Sequence, residues 1–515
     1  MKYDVAVIGG SLGGVQAALS ALKTGKKVYL CEKTDWIGGQ LTSQAVPPDE
    51  HEWIEEFGAT QSYMKYRKEV RDHYRNLPNI SDEIRNKEHF CPGNSWVSRI
   101  AHEPKVALNI LNSYLKPYID NGMLFIDYET IAVDSNVIQD KIISVTVENL
   151  KDNSRKIIEA DYFLDATDCG DLLPVVHAEY RTGAESKSQT GEYHAPDVAD
   201  PYDMQPITWV AALELNPDEF CPIEKPAMYD FFKELNVPYD DNKLFSWYTP
   251  DAKTHKKVRF SMFDDELKEN PLGLWSYRRI IDPRNYKDPK IKEVTLLNIP
   301  QNDFYLGNVY EDSRAEENLK MAREQTLCLV YWLQNDAPRM DGGKGYPVNL
   351  RPDIMGTKDG LAKAPYIRES RRIVAVRNVC EQDVSKRFNK KPPVFKDSVG
   401  VGHYSIDIHM TTRSHTFLYD EAYPFEIPLS AMIPIRLKNL IPACKNIGCT
   451  HITNGCYRLH PVEWNIGEVA GYLASYCIDH NCSLREVLEQ RLSDFQSLLV
   501  EQGITLHWDF NRMEI

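Results

Sequence analysis

Asp4-Val-Ala-Val-Ile8 is a short apolar run of the kind that forms a buried parallel strand, and it passes directly into the cluster Gly9-Gly10-Ser11-Leu12-Gly13-Gly14. Val15 to Lys23 then repeats apolar residues at helical spacing, and Lys27-Val-Tyr-Leu-Cys31 reads as a second strand ending in Glu32. Strand, glycine turn, helix, strand and acid, in that order, describe a βαβ unit that binds an adenine dinucleotide. Gly9, Gly13 and Gly14 let the backbone approach a pyrophosphate, and the helix N-terminus offers it unpaired N–H groups and partial positive charge. Glu32 accepts hydrogen bonds from an adenosine ribose. Ser11 stands where such turns carry a middle glycine; it narrows the approach but has a hydroxyl to give to a phosphate oxygen. A nucleotide-free turn of the same shape is the plainer alternative.

The chain's bulk properties restrict its class. At 515 residues it is long for one core and divides more naturally into two packed domains. With 42% hydrophobic and 26% charged residues and no low-complexity tract, it reads as globular throughout. A formal charge of -15 argues against nucleic acid or an anionic membrane as partner. No apolar run reaches the ~20 residues that span a bilayer, and the first apolar stretch is the first strand rather than a secretory signal. Eleven cysteines without a C-x-x-C pair point to reduced thiols and a cytoplasmic setting. Cys444, Cys449 and Cys456 have no zinc or iron–sulfur spacing, so no metal is expected.

Along the chain, Glu50 to Lys87 reads as mostly helical, broken at Pro78, and Pro104 to Tyr118 has a helical period. A hairpin follows, with Ile142–Glu148 and Arg155–Ile158 flanking the turn Lys151-Asp-Asn-Ser154. Ala160 to Asp171 is then a strand ending in Ala166-Thr167-Asp168 and Gly170-Asp171, equally a strand end with a helix cap. From about Ser186 to Pro300 aromatic and charged residues dominate, and Lys257–Phe263 and Glu293–Leu297 suggest an antiparallel sheet; most of these aromatics belong in a core. Ser313-Arg-Ala-Glu316 reads as a capping box opening a helix to Asn335.

Two resemblances add to this reading. Trp36-Ile-Gly-Gly39, directly after Glu32 and Lys33, resembles the extended nucleotide motif of the glutathione-reductase-like flavoprotein superfamily. The Ala166-Thr167 strand end with Gly170-Asp171 is similar to the superfamily's third nucleotide-contacting segment. Arg368-Glu-Ser-Arg-Arg-Ile373, Asn298–Asp303, Gly402–His409 and Pro428–Ala474 resemble a widespread family of FAD-dependent oxidoreductases. The match is discontinuous but covers nearly the whole chain. It implies an α/β fold: a Rossmann-like FAD-binding domain with an inserted α+β substrate or cap domain on an antiparallel sheet. The expected division is 1–185 and 421–482 for the FAD domain, 186–420 for the cap, and 483–515 for a C-terminal helix and tail. FAD is the expected cofactor, held by Gly9, Ser11, Gly13, Gly14, Glu32, Lys33, Gly38, Gly39, Gln40, Ala166, Thr167, Asp168, Gly170 and Asp171. Arg368 is placed near the flavin by the resemblance.

Glu463 to Ile478 has a helical apolar period after a loop over Asn446–Pro461. In the superfamily this helix aims its N-terminus at the flavin, so backbone groups of Val462, Glu463, Trp464 and Asn465 are expected contacts. His451, Arg458 and His460 precede it. A second group is His403, Asp407 and His409, which strand alternation would set on one face opposite Tyr404, with Arg413 nearby as a carboxylate clamp. An Asp beside a His makes a base that removes an O–H or N–H proton; the competing reading is a polar hinge between domains. No second glycine unit for NADPH is present, since Gly400-Val-Gly402 lacks the third glycine. Electrons should therefore enter from a small organic substrate, one bearing a carboxylate if the arginines clamp it, and leave to oxygen or another acceptor. A monooxygenase fed by a separate reductase and a non-catalytic FAD-binding protein are the alternatives.

Overall fold

The computed structural model describes residues 2–513, so the outermost ends of the expected segments 1–185 and 483–515 lie outside the described residues. Its main sheet has seven strands. β1 (Lys2–Ile8) sits at the centre, parallel to β2 (Val28–Glu32) and to β6 (Arg155–Asp165). β2 continues to β3 (Leu124–Tyr128), and β6 runs parallel to the strand Leu440–Pro442. The lower half of β6 instead pairs antiparallel with β5 (Lys141–Asn149), and β5 with β4 (Thr130–Ile138), making a mixed sheet. β6 is one continuous strand where the sequence suggested two. β4 had no sequence signal of its own, because the turn joining it to β5 is Gln139-Asp140, both at positive φ, without the usual Asn-Gly or Asp-Gly pair.

The glycine turn leaves β1 at Ile8, which is level with Cys31 at the end of β2 and Asp165 at the end of β6. This is the crevice at the carboxyl ends of parallel strands, where α/β sheets place ligands. α1 (Leu12–Lys23) follows and packs against the helix His460–His480. Small residues allow the contact: a Cβ on Gly467 would stand 2.1 Å from the Gly13 carbonyl oxygen, so the two backbones touch.

A second sheet of four antiparallel strands, in the order Arg279–Ile281, Val294–Leu297, Ala211–Leu215 and Val348–Leu350, carries its own apolar cluster with Phe232, Phe245, Trp247 and Trp275. Lys257–Arg259 pairs outside it, with Tyr248–Pro250. The helix expected from Ser313 begins at Ala315, since Asp312 accepts from the Arg314 N–H in a turn and no side chain caps the helix. The segment after Ser483 holds two short helices, Leu484–Gln490 and Leu492–Glu501, rather than one. Among the described residues no helix is long and apolar enough to cross a membrane.

Candidate active site

The ends of β1, β2 and β6 frame a cleft of about 590 Å³ lined by Gly9, Glu32, Lys33, Ala166, Thr167, Asp168 and Asp171. It extends past Ser43 and Gln44 to Pro365 and Ile367. Gly9 has φ +101°, and a Cβ there would meet the Ala166 carbonyl at 2.4 Å, so only glycine makes this turn. Glu32 is buried; it accepts from Gly10 N–H at 2.8 Å and from the Thr34 N–H and hydroxyl, both at 2.9 Å. Burial raises its pKa to about 7 against these hydrogen bonds. Ser11 is the N-cap of α1, its hydroxyl accepting from Gly14 N–H at 3.2 Å, which gives the departure from glycine a structural use. The cleft's volume and the Glu32 carboxylate beside Gly9 fit a nucleotide, whereas Ser11, Gly13 and Gly14 do not line it, and the Gly13 and Gly14 N–H groups are already taken by Glu463 and Ser11.

Glu463 reaches this turn as a side chain, accepting from Gly13 N–H at 3.0 Å. Gln40 donates to it, and Lys445 lies between it (3.3 Å) and Asp168 (2.7 Å). Asp168, Cys444 and Glu463 lie close enough to hold a metal ion, but the Lys445 ammonium already supplies the cation. Gly38 and Gly39 both have positive φ and bring Gln40 under this cluster. Gly170, also at positive φ, packs on Arg371, which pairs with Asp171 at 2.8 Å.

Of the four expected backbone contacts, those of Glu463, Trp464 and Asn465 are taken up by the helix itself, the Glu463 N–H donating to the Leu459 carbonyl at 2.9 Å. The helix starts at His460, three residues earlier than read, so the Trp464 and Asn465 N–H groups fall inside its hydrogen-bond ladder. Val462 packs on Gly402, the Trp464 ring lies between Tyr63 and Tyr66, and the Asn465 side chain donates to the Val399 carbonyl. The loop before it also contains a helix, His451–Tyr457.

A second, smaller cavity of about 40 Å³ is lined by Asp49, Arg278, Arg368, Asp407, His409 and Arg458, with Tyr277, Asn298, Tyr366 and Tyr404. Residues 364–368 form its wall against the first cleft: Pro365 and Ile367 line the cleft, while Tyr366 and Arg368 line the small cavity. Alternate residues of extended backbone face opposite ways, so one segment serves both spaces. Arg278 pairs with Asp49 at 2.9 Å, Arg368 with Asp303 at 2.8 Å, and Arg458 with Asp407 at 3.2 Å and with the Tyr366 hydroxyl at 2.9 Å. His409 lies between two carboxylates, Nδ1 at 2.7 Å from Asp303 and Nε2 at 3.4 Å from Asp407. Burial and Arg368 disfavour its charge, but the two carboxylates outweigh them and raise its pKa. Asp407, despite burial, is held down to about 2 by His409 and the arginines.

The expected face of His403, Asp407 and His409 does not form. The strand is only Ile406–Ile408, so alternation does not extend back to His403, and Tyr404 joins Asp407 in the cavity instead. His403 lies tilted against the Trp53 ring, centroids 5.1 Å apart, with Glu52 at 3.8 Å, and burial lowers its pKa. Arg413 is turned to Asp200, 3.1 Å away on an exposed surface. His460 is a link rather than a reactive group: Nδ1 accepts from the Asp49 N–H and Nε2 donates to the Val46 carbonyl, both at 3.1 Å. Burial holds its pKa down at about 3, so it is neutral. His451 bonds to Glu369 at 2.9 Å within a buried network that includes Arg372, outside the cavity lining. Sequence reading missed Asp49, Arg278, Asn298 and Asp303 as site residues. Only Asp303 and Asn298 had a signal, as parts of a motif valued for its resemblance.

A family model described as FAD dependent oxidoreductase matches residues 4–499. No curated protein matches the sequence. Among solved structures, an L-proline dehydrogenase from P. horikoshii is 17% identical over 36% of this chain and 24% of its own, with a TM-score of 0.19. A glycerol-3-phosphate dehydrogenase from Bacillus halodurans, complexed with FAD, is 13% identical over 42% of this chain and 40% of its own, with a TM-score of 0.24. These two matches span less than half of the relatives' length. A geranylgeranyl bacteriochlorophyll reductase-like protein from Thermoplasma acidophilum is 10% identical over 98% of this chain and 84% of its own, at 0.33.

Proposed function

The chain belongs to the family of FAD dependent oxidoreductases, and from that premise we propose that it oxidises a small organic substrate held in the smaller, polar cavity. The observation that carries this reading is a histidine set between two carboxylates: His409 lies 2.7 Å from Asp303 and 3.4 Å from Asp407 in a cavity next to the nucleotide cleft. In this reading Gly9, Glu32, Ala166 and Thr167, which line the cleft, hold the dinucleotide end of FAD, as in the glutathione-reductase-like superfamily. The four-stranded sheet belongs to the substrate-side cap, within residues 186–420. When bound, FAD would supply a two-electron acceptor for the substrate's hydride.

His409 takes the accompanying proton. Its Nδ1–H donates to Asp303, which leaves the Nε2 lone pair to receive the proton from a substrate O–H or N–H, and Asp407 then stabilises the imidazolium. The substrate thus loses one hydride and one proton and gains a C=O or C=N bond. Oxygen or another acceptor then receives the electron pair, in the cytoplasm, where the eleven free cysteines stay reduced.

The test is anaerobic bleaching of the flavin by a panel of hydroxy acids, amino acids, amines and phenols, followed by single-turnover reduction. His409→Asn should retain FAD and slow reduction by ~10²-fold or more. An unchanged rate would remove His409 from the reaction. A transient flavin hydroperoxide on reoxidation would favour a monooxygenase instead.

A further inference from the structure

The charges around the smaller cavity are matched one to one. Arg278 pairs with both oxygens of Asp49, at 2.9 and 3.1 Å, Arg458 with Asp407 at 3.2 Å, and Arg368 with Asp303 at 2.8 Å. With His409 neutral, as a proton acceptor must be, three cations face three anions and the site carries no net charge. The Arg368 and Arg458 side chains are each only 3% exposed, against 13% for Asp407 and 26% for His409. A bound molecule therefore meets the imidazole before it meets either of these guanidinium groups. We propose that the cavity takes a small uncharged alcohol, oxidised at its carbinol carbon, as the substrate class of the oxidation put forward above.

Charge, hydrogen bonding and size narrow the class. A carboxylate would add a negative charge that no uncommitted cation of the lining offsets, and an unmatched buried charge is costly. An ammonium would add an unmatched positive charge, and its oxidation would end with an iminium beside the imidazolium. An alcohol enters without charge and leaves one proton on His409, between the Asp303 and Asp407 carboxylates. The half-buried Tyr277 and Tyr404 also line the cavity, and among the described residues their hydroxyls have no hydrogen-bond partner. Hydroxyls that both donate and accept suit a neutral hydroxyl ligand. The cavity measures about 40 Å³, well below the ~150 Å³ that holds benzene, which sets phenols aside. The step balances: the carbinol hydrogen leaves as hydride to FAD, the hydroxyl proton goes to Nε2 of His409, and the C–O bond becomes C=O.

This inference rests on the oxidation reading, and one experiment on FAD-loaded enzyme separates the two. Three probes share a 2-hydroxyl and differ in charge: 1,2-propanediol, lactate and 1-amino-2-propanol. Their binding at pH 8 is followed by perturbation of the flavin absorbance and by calorimetry, and their reaction by anaerobic bleaching. The diol should bind at least ~10-fold more tightly than either ion and alone bleach the flavin. Asp49→Asn, which leaves Arg278 unmatched, should shift the preference toward lactate by ~10-fold or more. Arg278→Met should shift it toward 1-amino-2-propanol, and the double variant should return it to the diol. If one single variant loses FAD, the other single variant and the double variant decide. A diol that does not bind, an ion that binds as tightly as the diol, or a preference unmoved by the variants would overturn the proposal. A diol preference that follows the variants without any bleaching would keep the site and reject the oxidation. Bleaching by lactate or 1-amino-2-propanol but not by the diol would keep the oxidation and reject the substrate class.

Discussion

Glu32 holds the glycine turn through Gly10 N–H and lines the nucleotide cleft, with its pKa raised to about 7 chiefly by burial. The ionised carboxylate is the better acceptor for ribose hydroxyls. FAD affinity should therefore fall as pH drops below about 7, by up to about tenfold per pH unit. Glu32→Gln should bind more weakly and lose that dependence. Quenching of flavin fluorescence on titration into apoprotein at pH 8 and pH 6 measures both, and equal affinities in the wild type would mean the ribose is held elsewhere. His409 gives the second titration. Its pKa lies above the ordinary 6.5 because Asp303 and Asp407 outweigh burial and Arg368. As a proton acceptor it must first be neutral, so flavin reduction should rise with pH through a midpoint above 6.5. His409→Asn should flatten the profile. Glu32 was legible because the acid at the end of a second strand is a local pattern, and His409 because Asp407 lies two residues away. Its closer partner, Asp303, is distant in sequence and carried no such mark.

At the scale of elements, α1 and the helix His460–His480 stand or fall together. A Cβ at Gly467 would lie 2.1 Å from the Gly13 carbonyl oxygen, and one at Gly471 would lie 2.2 Å from that of Ala17. Neither neighbour is a flexible side chain. Gly467→Val should thus destabilise the protein by at least the ~1–3 kcal/mol of an overpacked core and pull Glu463 from Gly13 N–H. A lower Tm together with lost FAD is the expected result; a normal Tm with full FAD content would contradict the contact. Ser11 makes a gentler test. As an N-cap it should tolerate Ser11→Gly within a few tenths of a kcal/mol, whereas Ser11→Ala should cost about 1 kcal/mol in urea unfolding of the apoprotein. Equal costs would deny the cap. The periodicity of both helices was legible in the chain, but the start at His460 was not. Pro461 at the first turn is a start signal easily lost in a loop rich in Gly, Thr and Asn.

Across the whole molecule, His460 ties the last helix to residues Val46 and Asp49 beside the cavity. Burial keeps it neutral, with a pKa near 3 against 6.5. Below pH 6.5 the unfolded chain takes a proton that the folded chain refuses, so the stability this group contributes is lost as pH falls from 6.5 toward about 3. The loss is at most about 1.4 kcal/mol per pH unit. Glu32 and Asp165, both raised to about 7 by burial, act in the opposite sense over part of that range. The measurable quantity is accordingly the difference between wild type and His460→Gln, which should narrow between pH 7 and pH 5 in urea unfolding. A constant difference would mean that His460 is not held neutral. The sequence by itself determined the order of strand, glycine turn, helix and acid, because apolar period and glycine placement act over neighbouring residues. Family membership was likewise carried by motifs spread along the chain. Only the tertiary structure decided which polar residues meet. Asp49, Arg278, Asn298, Arg368, Asp407 and Arg458 come from six separate stretches, and their pairing depends on how the two sheets and the segment 364–368 pack. Of the histidines, His409 alone lines the cavity, because burial and hydrogen bonding commit His403, His451 and His460 elsewhere.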